Sequence, residues 1–249
     1  MTFGSLFSGI GGMDLGLERA GMECKWQVEI DPFCQKVLAK HWPGVKRYGD
    51  IRTVTDLEPV DLIAGGFPCQ DVSGSGMRVG IEGHRSGLWS EYARIISEVR
   101  PRYALVENVT GLLVRGMGRV LGDLAEIGYD AEWSIVPACA LGAPHSRERV
   151  LILAHPRQHV HGGMVPVRSA AQAIGWKESK WCSDRQFPQV GTEVDRRLSS
   201  IAEWWRVEPQ LGRMAARIPQ RVDRLKSIGN SVVPQVAEWI GRRIMEVCV

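Results

Sequence analysis

Short apolar runs alternate with amphipathic stretches from the first residues to about residue 155, and this alternation constrains the fold more than any other feature. A brief apolar run followed by a segment of helical periodicity marks a strand feeding a helix. Residues 3–7 (FGSLF), 25–30 (KWQVEI), 46–51, 60–65 (VDLIAG), 103–108, 131–137 and 149–154 read as strands. Helical patterns fill 13–21, 32–41, 88–99 and 118–128, and in 88–99 Leu88, Tyr92, Ile95, Ile96 and Val99 share one face. Such an order implies an α/β protein with a doubly wound, Rossmann-like parallel sheet covered by helices on both faces. Folds of this kind bind ligands at the carboxyl ends of their strands.

The pattern breaks down from His155, and residues 156–210 mix Gly, Pro, Ser, Gln, Trp and charges without sustained periodicity. Order returns where Val233, Val236, Ala237, Ile240 and Ile244 mark an amphipathic helix after Pro234. The chain therefore reads as a main domain over 1–154, a small irregular lobe over 155–219, and a segment over 220–249 that returns to the main domain. Charge follows the same division. Residues 155–226 hold 13 Lys and Arg against 7 Asp and Glu, a net +6, which leaves the rest of the chain at −3 of the total +3. A basic lobe beside a mildly acidic body is suited to phosphates, although a solvated loop region would show the same bias. No apolar run approaches the roughly 18 residues that cross a bilayer, and the start MTFGSLFSGIGGM lacks the features of a signal peptide. The expectation is a cytoplasmic protein with no membrane partner. Its six cysteines (24, 34, 69, 139, 182 and 248) form no C-x-x-C pair and no zinc-spaced cluster, so no metal is expected and most should be buried apolar residues.

Chemistry concentrates at strand ends. Phe7-Ser8-Gly9-Ile10-Gly11-Gly12 lies between a strand and a helix, where glycines let the backbone turn tightly against a ligand. Glu29, followed by Ile30, ends the second strand about 20 residues after Gly9, where a carboxylate can accept bonds from ribose hydroxyls. Asp14 stands where a dinucleotide fingerprint would place its last glycine, which argues against a dinucleotide and allows a nucleoside cofactor without a pyrophosphate; by itself the turn leaves dinucleotide, methyl donor and plain turn all open. Asp50, before Ile51, can bond an adenine amino group or simply cap a turn. Gly65-Gly66-Phe67-Pro68-Cys69-Gln70 directly follows a buried strand, so a cysteine stands at the sheet's carboxyl edge on a backbone stiffened by Pro68. The glycine-rich, polar stretch from Asp71 to Gly87 is long enough to serve as a lid. The next strand ends Val106-Glu107-Asn108-Val109; if the two strands are close, Glu107 stands across the cleft from Cys69, where burial suits a carboxyl group to hold a proton near neutral pH. Strand alternation puts Arg147 and Arg149 on one face, able to pair with Glu107 or a phosphate.

Together these segments resemble the DNA cytosine-5 methyltransferase family, in particular its short phage-type members. The glycine turn is similar to the family's cofactor motif, Phe67-Pro68-Cys69-Gln70 to its nucleophile motif, and Glu107-Asn108-Val109 to its acid motif. Arg147-Glu148-Arg149 is similar to its arginine motif, and Gly229-Asn230-Ser231-Val232-Val233-Pro234 to its closing motif. All five stand in the family's order. The resemblance implies S-adenosyl-L-methionine as cofactor, double-stranded DNA as partner, and a monomer. It implies a cofactor site built from Phe7, stacked on adenine, with Ser8, Gly9, Gly11, Gly12, Glu29 on the ribose, Ile30, Asp50 on the adenine, Ile51, Phe67, Asn230, Ser231 and Val232. It further implies that Cys69 attacks C6 of a flipped-out cytosine beside Pro68 and Gln70. Glu107 then bonds the N3 side of the ring with support from Arg149 and Arg147 nearby, and Ser73 and Arg85 act from the loop that closes on DNA.

Two departures stand out. His145 occupies a place where the family usually has glutamine, and the lobe offers only about 50 residues (roughly 156–206) with no clear Thr-Leu pair. Its Trp176, Trp181, Trp204 and Trp205 suit a small core or a wedge against DNA. Three other readings compete: the same chemistry on RNA, whose branch of the family carries a Cys-Phe-Thr signature not seen here; a DNA-binding module without turnover; and a nicotinamide-dependent oxidoreductase. The last predicts neither the Pro-Cys-Gln strand end nor the basic lobe. Target sequence and biological role, whether restriction companion, self-protection or orphan regulator, are not written in these motifs.

Overall fold

The computed structural model describes residues 1–68, 87–143, 145–157 and 221–248. Seven strands form one sheet: β1 (Thr2–Leu6), β2 (Glu23–Val28), β3 (Lys46–Tyr48), β4 (Leu62–Gly66), β5 (Tyr103–Val109), β6 (Tyr129–Val136) and β7 (Arg149–Pro156), in the order β3-β2-β1-β4-β5-β7-β6. The first five strands pair in parallel, whereas β7 runs antiparallel to both β5 and β6. The sheet is thus mixed, not parallel throughout as the alternation implied. The reason lies in the connection from β6 to β7. It holds only a short 3-10 turn (Ala138–Leu141) instead of a crossover helix, and a parallel return needs such a crossover.

Helices α1 (Gly12–Arg19), α2 (Pro32–His41), α3 (Leu88–Val99), α4 (Leu112–Arg115), α5 (Met117–Glu126), α6 (Arg221–Asn230) and α7 (Pro234–Cys248) flank the sheet. Side chains alternate across each strand, so the sheet feeds two cores. On one side Leu6, Ile63, Val106 and Ile152 pack with Trp89, Tyr92, Ile95 and Ile96 of α3 and with Val120 and Leu124 of α5. On the other, Phe3, Leu62, Ala64, Leu105 and Leu151 meet Met13 and Leu17 of α1 and Val236, Ala237, Ile240 and Ile244 of α7. Burying each of these large aliphatic side chains contributes about 1.5–3 kcal/mol, which fastens the last helix to the first across most of the chain's length.

Most element ends shift by one to three residues from the sequence reading, and two differences have a physical reason. β7 continues to Pro156, because His155 and Pro156 still pair with Asp130 and Tyr129 of β6 after the apolar run has ended. Residues 221–230 are helical where only a turn before the last helix was expected. This helix exposes its apolar residues Val222 and Ile228 and so carries no amphipathic signature. The lobe expected over 155–219, with its four tryptophans, lies almost wholly outside the described residues, as do Cys69, Gln70, Ser73 and Arg85.

Candidate active site

The sheet order reverses direction between β1 and β4. The chain moves outward from β1 through β2 to β3, then returns to β4 on the opposite side of β1. A crevice opens at the carboxyl ends of two strands at such a point. Phe7–Gly12 leaves β1 into it, and Phe67-Pro68 leaves β4.

On the β1 side, Phe7 takes a left-handed backbone (φ 53°) and stacks on Tyr92 with ring centroids 6.3 Å apart. Ser8 is buried; its N–H donates to the Val28 carbonyl and its hydroxyl to the Ser5 carbonyl. The Glu29 carboxylate accepts from the Gly9 N–H and the Asp31 N–H, both at 2.7 Å, so the end of β2 is tied to the glycine turn. Burial raises the Glu29 pKa, and those backbone bonds counteract it. Beside it Ile30 is 62% exposed, a large apolar side chain at the mouth of a crevice. Gly12 touches the closing segment so closely that a Cβ there would lie 2.1 Å from Ser231 Oγ and 2.4 Å from the Val232 carbonyl oxygen. Exposed apolar surface, a carboxylate at the strand end and a glycine backbone free of side chains make a cradle that fits a nucleoside.

The expected site also includes Asp50, Ile51, Phe67, Gly11 and Asn230. Asp50 caps the turn Ile51–Thr53 and pairs with the Arg52 guanidinium at 2.6 Å, which holds its pKa below the usual carboxylate value. Ile51 is buried in the core. So is Phe67, whose ring packs on Trp89 at 5.3 Å, which leaves its backbone as the part nearest the crevice. Gly11 is the N-cap of α1, and Asn230 is the exposed last residue of α6.

On the β4 side, Gly66 pairs with Glu107 of β5, and a Cβ at Gly66 would lie 2.3 Å from Glu107 Oε2. The missing side chain is what gives the Glu107 carboxyl its room. Glu107 is 7% exposed and meets Arg149 Nε at 2.9 Å; burial pushes its pKa up, while Arg149 and Arg147 pull it back. The register explains the pair, since Arg149 lies opposite Val109, and Glu107, two residues away on the same face, is its diagonal neighbour. Asn108 donates from Nδ2 to the Phe67 carbonyl at 3.2 Å, so β5 also steadies the backbone leading through half-buried Pro68 to residue 69.

Arg147 corrects an expectation. The strand begins only at Arg149, so alternation does not extend to Arg147, whose φ is 31°. Its Nη2 donates to the carbonyls of Gly229 and Ser231 at 2.7 and 2.8 Å.

Asp14 also gained a place that its sequence position did not disclose. It is fully buried in the first turn of α1, accepts from the Ser5 hydroxyl at 2.6 Å and from Gln27 Nε2 at 2.8 Å, and so ties the helix to β1 and β2. Burial raises its pKa from 3.8 to about 6. The only signal in the sequence was a carboxylate inside an otherwise apolar first turn.

Fold and crevice define a Rossmann-like α/β domain with a crevice at the carboxyl edge of its sheet. The family model for C-5 cytosine-specific DNA methylases matches residues 1–204, and the chain belongs to that family. It is 41% identical to the Type II methyltransferase M2.BsuMI of Bacillus subtilis (strain 168), over 97% of this chain and 75% of that protein. It is 30% identical to the Type II methyltransferase M.NgoFVII of Neisseria gonorrhoeae, over 80% of this chain and 59% of that one. Of several further relatives it spans less than half. Among solved structures, the S. pombe Dnmt2 methyltransferase shares the fold with a TM-score of 0.65 at 18% identity, over 100% of this chain and 99% of that one. Among the described residues no helix is long and apolar enough to cross a membrane.

Proposed function

We propose that this chain transfers a methyl group from S-adenosyl-L-methionine to C5 of a cytosine flipped out of double-stranded DNA, through a covalent adduct between Cys69 and C6. The observation that carries this reading is the buried Glu107–Arg149 pair set against Gly66, three residues before Cys69.

Cytosine C5 is a poor nucleophile within an aromatic ring. The Cys69 thiolate adds to C6 and forms a C–S bond, and the ring electrons move toward C5 and N3. Glu107, whose pKa burial raises and whose carboxyl Arg149 orients, donates to N3 and stabilises the charge that develops there. C5 then has enamine character and takes up a methyl group. Transfer of the C5 proton to a solvent base returns an electron pair to the ring and expels Cys69 as thiolate, and the N3 proton goes back to Glu107. Bound S-adenosyl-L-methionine supplies the electrophilic sulfonium methyl. Phe7, Ser8, Gly9, Gly12, Glu29, Ile30, Ser231 and Val232 would hold it, with Glu29 toward the ribose. Because C6 is unreachable inside a stacked duplex, the base must leave the helix, at a cost of a few kcal/mol that protein–phosphate contacts offset.

Cys69→Ala is expected to abolish methyl transfer while S-adenosyl-L-methionine still binds; transfer that survives the change rejects the mechanism. Duplex DNA carrying 5-fluorocytosine should form a stable protein adduct, because the C5 position has no proton to lose. Labelled-methyl incorporation into duplex DNA against tRNA identifies the nucleic acid.

A further inference from the structure

We infer that Arg147 is a positioning residue for the methyl-donor pocket, acting through the carbonyls of Gly229 and Ser231, and not a residue that meets the base or a DNA phosphate. The inference rests on the reading of the crevice given above.

Three observations converge. The guanidinium makes two charge-assisted hydrogen bonds, at 2.7 and 2.8 Å, to carbonyls where α6 ends and the chain turns toward α7. The last carbonyls of a helix lack intrahelical partners and sit at the negative end of its dipole, so a cation there both satisfies and attracts them. Second, the gripped turn is the wall of the glycine cradle. Ser231 donates its N–H to the Ser227 carbonyl at 3.0 Å and its hydroxyl to the Val232 carbonyl at 3.1 Å, and both residues press on Gly12 without space for a methyl group. A shift of residues 229–232 must therefore displace the turn after β1. Third, Arg147 has a positive φ, a backbone that non-glycine residues adopt at a cost and retain only where their surroundings enforce it. Two residues on, Arg149 holds Glu107. The segment 147–149 thus grips the donor wall with one guanidinium and the base-facing carboxyl with the other, which fixes the distance between the two halves of the site.

The test compares the full chain with Arg147→Ala and Arg147→Lys. In protein without DNA, S-adenosyl-L-methionine affinity is measured by equilibrium titration, and amide hydrogen exchange at residues 229–232 is measured with no cofactor present. Arg147→Ala should weaken donor binding at least tenfold and speed exchange in that turn. Its loss in donor affinity should exceed any loss in kcat at saturating donor, and its DNA affinity should be unchanged. Arg147→Lys, whose ammonium replaces the planar fork, should fall between the two in donor affinity. Unchanged donor affinity in Arg147→Ala overturns the inference, as does lost DNA affinity or exchange that accelerates across the whole domain. If Arg147→Ala fails to fold, Arg147→Lys decides by the same criteria, and parental donor affinity in that variant overturns the inference. A parent protein that binds no S-adenosyl-L-methionine overturns the underlying reading instead, and does so before any variant is compared.

Discussion

Asp14→Asn isolates the buried carboxyl beneath the glycine turn. In the native chain Asp14 is fully buried, with Ser5 and Gln27 as its partners and Glu18 nearby as a like charge; its pKa rises from 3.8 to about 6. A folded-state value above the unfolded one means that the folded protein binds the proton more tightly. The stability tied to this group is therefore complete below pH 3.8 and is lost as pH rises through 6. A rise of this size corresponds to about 3 kcal/mol. Asparagine has nothing to ionise and nearly the same shape. It can still accept from the Ser5 hydroxyl, and its amide N–H can donate to Gln27 Oε1, which has no partner among the described residues, once the Gln27 amide turns over. Urea unfolding of both proteins from pH 4 to pH 8 gives a difference curve in which the backgrounds of other groups cancel. Relative to its value at pH 4, Asp14→Asn should gain about 2–3 kcal/mol by pH 7 and then level off. A flat difference curve would refute the argument, because it would mean that the carboxyl does not ionise in a dry site. A gain on acidification would refute its sign.

Further outcomes follow from the same geometry. Gly66→Ala brings a methyl group against Glu107 Oε2 and should lower kcat about a hundredfold or more while donor affinity is kept, as measured by steady-state transfer and titration. Glu107→Gln removes the proposed proton donor and leaves the Arg149 guanidinium without its carboxylate; transfer should fall about 10²–10³-fold, and rates within threefold of the parent would exclude Glu107 from the reaction. Arg149→Met takes away the charge that pulls the Glu107 pKa down, so that pKa should climb further and the alkaline limb of the residual pH–rate profile should move to higher pH; an unmoved limb would deny the coupling. Asn108→Ala frees the Phe67 carbonyl and should cost about 1 kcal/mol of stability in urea unfolding, with a larger proportional loss in kcat than in donor affinity.

Much of this protein is legible before it folds. Strand and helix periods, glycine turns and the five motif segments are local properties of the chain. Fold class, candidate nucleophile and candidate acid follow from them because side-chain spacing sets which face is apolar and where a strand must stop. The Glu107–Arg149 pair was within reach for the same reason, since both stand at strand ends. What the tertiary structure alone decided depends on partners distant in sequence. Strand β7 reverses because the chain before it has no crossover helix, a matter of packing between β5 and β6. Arg147 turns to the carbonyls of Gly229 and Ser231, more than 80 residues away, because its backbone leaves the strand geometry that alternation assumes. Phe67 is drawn into the core by Trp89, and Asp50 is claimed by Arg52. Asp14 acquires its raised pKa only when α1 packs against β1 and β2 and water is excluded from it. Periodicity is written along the chain, whereas burial and the identity of a polar group's partner exist only once distant segments meet.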